Sequence, residues 1–129
     1  MRMTVLVASG LLALWPLQAG AKNPGTADVT DFSVDSAQDL VDLCSADESH
    51  PLYVEAIEFC AGFFAGMKHY HDRMSAGPDV EPIICSPGNV KREDAIHMYV
   101  EYAKANPQFL NEDPADNVVR WAMATWPCS

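Results

Sequence analysis

Four cysteines, Cys44, Cys60, Cys85 and Cys128, are the residues in this chain most able to do chemistry. Thiols can cross-link, hold a metal or act as nucleophiles. No Cys-x-x-Cys pair occurs, so the spacing lacks the usual signature of a zinc or redox site. Histidines supply the second cluster, His69-Tyr70-His71-Asp72. Two histidines two apart on a helix point to nearly opposite sides, whereas i and i+4 would be needed to chelate one ion. His69 and Asp72 do share a face, but two ligands on one turn make a weak site. Near a helix end, histidines more simply complement the macrodipole. His97, beside Glu93 and Glu101, reads as a solvated helix face. No Gly-x-Ser-x-Gly, His-Glu-x-x-His or phosphate loop is present. The residues point to no catalytic centre, metal or cofactor, and the chain reads as a non-enzyme.

The elements that would position these residues are helical. Ser36 is a candidate N-cap for a short helix to about residue 46, with Leu40, Val41, Leu43 and Cys44 on one face. A long helix is expected from about 52 to 74. Its apolar stripe is Tyr53, Ala56, Ile57, Cys60, Phe63, Phe64, Met67 and Tyr70. Gly62 and Gly66, four apart, suggest close approach of a neighbouring helix. Residues 77–89 form an irregular, proline-rich connection ending in Cys85-Ser86-Pro87-Gly88-Asn89. A third helix, about 90–106, carries Ala95, Ile96, Tyr99, Val100 and Ala103 and stops at Pro107. Asp113-Pro114 opens a fourth, which buries Val118, Trp121, Ala122 and Trp126. No strand pattern competes. The expected fold is all-α, a small four- to five-helix bundle stapled by two disulfides.

Residues 1–21 carry a short basic start, an apolar run from Val5 to Leu17 and Ala19-Gly20-Ala21. This is the pattern of a cleavable signal peptide rather than a membrane anchor. The expected organisation is therefore a signal peptide over 1–21, a flexible leader over 22–35 and one helical domain over 36–129. Export implies an oxidising compartment and favours disulfides over free or metal-bound thiols. Helices three and four share a short link and should pack antiparallel. Cys85, before the third helix, would then meet Cys128, after the fourth, which leaves Cys44 with Cys60.

The chain holds 18 Asp plus Glu against 8 Lys plus Arg, a formal charge of −10 at pH 7. Signal cleavage removes Arg2 and makes it one unit more negative. Such a surface repels nucleic acid and anionic membranes and suits a basic protein partner.

The runs Asp39-Leu40-Val41-Asp42-Leu43-Cys44, Phe59-Cys60-Ala61-Gly62-Phe63-Phe64-Ala65-Gly66, Cys85-Ser86-Pro87-Gly88-Asn89-Val90, Asn106-Pro107 and Trp126-Pro127-Cys128, in this order, resemble the Rap/Tai immunity family. The likeness covers about 32–128. It implies a small helical periplasmic antitoxin of type VI secretion, often homodimeric. Such proteins bind a peptidoglycan amidase effector from sister cells and occlude its active site without chemistry of their own. Cys44, Cys60, Cys85 and Cys128 match the family cysteines, and Gly62, Gly66, Pro87 and Pro127 match structural positions. The segment between Cys44 and Cys60 is longer than the common pattern, and the His-Tyr-His stretch departs from it. The resemblance carries over no inhibitory residues. The connection Asp79-Val80-Glu81-Pro82-Ile83-Ile84 is the candidate partner-binding segment, with Asp79, Glu81 and Ile83 as its contacts. A buried crossover is the competing reading for Ile83 and Ile84. Two rival functions fit the composition: an acid-stress chaperone, charged positive once its carboxylates protonate, and an accessory subunit of an envelope complex.

Overall fold

The computed structural model describes residues 26–129. Four α-helices follow in order: α1 (Ala37–Cys44), α2 (Tyr53–Met74), α3 (Arg92–Ala105) and α4 (Pro114–Thr125). Short 3₁₀ turns cover Asp31–Ser33 and Pro107–Phe109. No strand occurs among the described residues, so the chain is all-α as its pattern predicts. The signal peptide expected over 1–21 lies outside the described residues.

Local chemistry accounts for the helix starts. Ser36 Oγ accepts from the Asp39 backbone N–H at 3.3 Å, and Asp39 Oδ2 accepts from the Ser36 N–H at 3.1 Å. This reciprocal capping box satisfies two backbone donors that a helix start leaves free. The N–H groups of Ala37 and Gln38 donate to the Glu112 and Leu110 carbonyls at 2.8 and 2.9 Å. The start of α1 is thus tied to the link between α3 and α4. At α4, Asp113 Oδ1 accepts from Ala115 N–H at 2.8 Å and Asp116 N–H at 3.3 Å, with Pro114 in the first turn. The buried Asn117 donates from Nδ2 to the Phe109 carbonyl at 3.0 Å, which fixes α4 to the turn before it.

Three aromatic rings make the centre of the core. Phe64 of α2, Tyr99 of α3 and Trp121 of α4 lie edge to face, with centroids 5.2, 5.9 and 5.7 Å apart. The ring quadrupole favours this geometry over flat stacking. Leu40 and Val41 of α1 belong to the same buried cluster. A smaller cluster of Ala27, Leu43, Ala46 and Ala56 lies beside it, edged by Phe32 against Phe59 at 5.5 Å.

Both disulfides form as the helix arrangement predicts. Cys44–Cys60 joins α1 to α2 and Cys85–Cys128 joins the chain before α3 to the chain after α4, with Cα separations of 5.2 and 5.0 Å. Their settings differ. Cys44 and Cys60 are buried in the main core, whereas Cys85 and Cys128 are exposed.

Three expectations need correction. The described part of the leader, 26–35, is folded onto the domain and is not a loose tether. Ala27 and Asp31 are buried there, and Asp31 accepts from the Asp28 N–H at 2.8 Å. A left-handed turn at Val34 (φ 50°) swings the segment back so that its side chain wedges between the two clusters. That conformation is strained for a β-branched residue, and the packing around it holds it. Gly62 and Gly66 are not a helix-crossing point, since a Cβ added at either would meet nothing within 4 Å. Tyr70, assigned to the buried stripe of α2, is 66% exposed, because α2 runs past the edge of its neighbours there.

Candidate functional site

The connection between α2 and α3 emerges where α2 outruns the bundle. Its far end is clamped twice. Cys85 is bonded to Cys128, and the Cys85 N–H donates to the Trp126 carbonyl at 2.9 Å. Ile84, next to the clamp, packs against the main core. At the near end a turn closes with Val80 N–H donating to the Gly77 carbonyl at 3.3 Å. A Cβ on Gly77 would sit 3.3 Å from Val80 Cγ2, so a glycine suits this tight turn.

Between these ends the side chains face outward. Asp79 and Glu81 are exposed, Val80 is 47% exposed and Ile83 is 51% exposed. The two isoleucines therefore divide: Ile84 is core and Ile83 is surface. The structure brings Asp79, Glu81 and Ile83 onto one short segment, with Val80 as a further exposed apolar residue that sequence reasoning left out. Acidic and aliphatic groups on a segment anchored at both ends form a surface that can enter a cleft with little ordering cost.

The histidine cluster separates. His69 is exposed, while His71 turns toward the bundle and its Nε2 lies 3.3 Å from Ser75 Oγ. Lys68 pairs with Asp72 at 2.5 Å, which holds the Asp72 carboxyl below its ordinary range. His97, Glu93 and Glu101 are all exposed on α3. Among the described residues no group of three or more His, Cys, Asp and Glu side chains is placed to hold a metal ion. No described helix is long and apolar enough to cross a membrane.

A further contact was not legible in the pattern. Arg120 of α4 makes a two-pronged pair with Glu112, at 3.0 and 2.8 Å, and lies 4.4 Å from the Phe109 ring centroid. Its guanidinium is held further toward the charged form by Glu112. Glu112 and Arg120 are eight apart across a turn, beyond the three- and four-residue spacing that reveals helix pairs.

The geometry is that of a small, doubly stapled helical domain. A family model described as Rap1a immunity proteins matches residues 36–128. The chain therefore belongs to the Rap1a immunity protein family, as the motif resemblance indicates. Membership implies an immunity protein, one that acts by binding a secreted effector, and such proteins are generally not enzymes. No curated protein and no solved structure matches the chain.

Proposed function

We propose that this protein is a periplasmic immunity protein that binds a peptidoglycan amidase effector of type VI secretion and sterically occludes its active site. The observation that carries the reading is the family match over 36–128, which coincides with the disulfide-stapled domain. The connection around Asp79, Glu81 and Ile83 is the occluding element. Its support is exposure of mixed acidic and aliphatic side chains on a segment clamped to the bundle. Occlusion needs no chemistry from the inhibitor, only a surface rigid enough to displace substrate. Homodimerisation belongs to the same proposal. Its support is the exposed apolar residues of α2, Val54 and Tyr70.

The test is protection of a cell whose periplasm receives the cognate amidase. Co-export of this protein should restore growth, and the pair Glu81→Ala/Ile83→Ala should weaken effector binding while leaving the helical spectrum intact. Unchanged affinity in that pair removes the connection from the mechanism. Lysis despite co-export removes the amidase reading itself.

A further inference from the structure

A second feature adjoins the connection between α2 and α3 on its inner side. A cavity of about 680 Å³ opens between the second half of α2, the connection over 82–91, the start of α3 and α4. Its inner wall is apolar, made by Phe64, Ile84, Val118, Trp121, Ala122 and Trp126. Its mouth is polar, with His71 beside the cations Lys68, Lys91 and Arg92. Asp72, held by Lys68, is the sole acidic side chain of the lining.

This charge is opposite to that of the rest of the molecule. A chain with 18 Asp plus Glu and 8 Lys plus Arg would surround a random hollow with carboxylates. Here three lysine and arginine side chains gather at one opening. Lys91 and Arg92 also occupy the N-cap and first position of α3, where the helix macrodipole disfavours cations. Neither forms an ion pair with another described residue, in contrast to Lys68, Lys104 and Arg120. Glu93 and Asp94 follow in the same turn but do not line the cavity. Two unpaired cations therefore stand at the rim of an apolar hollow and at a position unfavourable to them.

We propose that the cavity binds a single-chain anionic amphiphile, with its aliphatic tail against the half-buried Ile84 and Trp126 and its carboxylate or monophosphate head at Lys91 and Arg92. The volume lies within the range of roughly 300–1,000 Å³ typical of small-ligand sites, which suits one acyl chain. The planar guanidinium of Arg92 can meet either head group with two parallel hydrogen bonds. A neutral or cationic amphiphile would bury the same tail but leave the rim uncompensated.

The experiment is calorimetric titration of the purified, oxidised protein with dodecanoate and with dodecyl phosphate, each kept below its micelle-forming concentration. Dodecanol and dodecyltrimethylammonium serve as neutral and cationic controls. One saturable site for at least one anion is expected, with the neutral alcohol weaker by roughly tenfold or more. The stronger of the two anions identifies the head group. Because Lys91 and Arg92 are exposed, the variant Lys91→Ala/Arg92→Ala should fold normally. It should lose that anion preference and keep the affinity for dodecanol. Equal binding of anion, alcohol and cation, an unchanged preference in the variant, or non-saturating uptake of many molecules would each overturn the proposal.

Discussion

Removing the Cys85–Cys128 bond should destabilise the domain almost wholly through its unfolded state. The perturbation is Cys85→Ser/Cys128→Ser. Both cysteines are exposed residues, so serine leaves no void in the core, and the Cys85 N–H can still donate to the Trp126 carbonyl. What is lost is the closed loop. The bond spans a sequence separation of 43, and for that length the chain-entropy relation gives about 4 kcal/mol at room temperature. Domains of this class have about 5–15 kcal/mol in total, so the variant should remain folded but marginal. Urea unfolding followed by circular dichroism measures the loss. The urea midpoint should fall, and the slope of free energy against denaturant should rise because a longer unfolded chain exposes more surface. A loss below about 1 kcal/mol with an unchanged slope would refute the loop-closure reasoning. The bond Cys44–Cys60 spans 16 positions, for which the same relation gives about 3 kcal/mol. Both of its sulfurs are buried, so Cys44→Ala/Cys60→Ala should cost more than that loop contribution alone.

Tyr99 offers a test of the core. Its hydroxyl is buried without a hydrogen-bond partner, and burial pushes its pKa well above the ordinary value. Tyr99→Phe should therefore stabilise the protein by about 1 kcal/mol in thermal or urea unfolding. Above a pH of about 10 the unfolded chain ionises this tyrosine while the folded one does not, so stability falls as pH rises; Tyr99→Phe should flatten that decline. At the acid end, Ser49 holds the Asp47 carboxyl low and Lys68 holds that of Asp72 low. The unfolded state then binds more protons below a pH of about 4, so stability falls with pH through that window, and Asp72→Asn should reduce the slope of the unfolding midpoint against pH. Ser36→Ala should cost about 1 kcal/mol, read by urea unfolding, because it opens the capping box of α1.

Much of the fold was legible because local chemistry and global packing agree. Ser36 and Asp113 stand where helices begin, and Leu40, Phe64, Tyr99 and Trp121 all enter the core that helical spacing assigns them. The disulfide pairing followed from helix order alone. Three features were hidden for separate reasons. The anchoring of 26–35 depends on Asp31 and on the left-handed Val34, neither of which belongs to a periodic stripe. The exposure of Gly62 and Gly66 depends on which face of α2 its neighbours leave bare, and the spacing of glycines says nothing of that. The cavity depends on how α2, α3 and α4 splay, although Lys91-Arg92 at a helix start was a visible oddity in an acidic chain. At the candidate partner-binding segment no periodic pattern separates Ile83 from Ile84. Their division into surface and core is set by the clamp at Cys85.

The most direct test of the immunity reading is an inhibition titration. The mature, oxidised protein is used at neutral pH to capture its partner from its own cells, and the partner's cleavage of peptidoglycan amide bonds is followed as the protein is added back. The account predicts one stoichiometric partner whose activity falls to zero near one equivalent. A partner whose peptidoglycan cleavage is untouched at saturation would contradict it, as would capture only of many unrelated proteins on acidification.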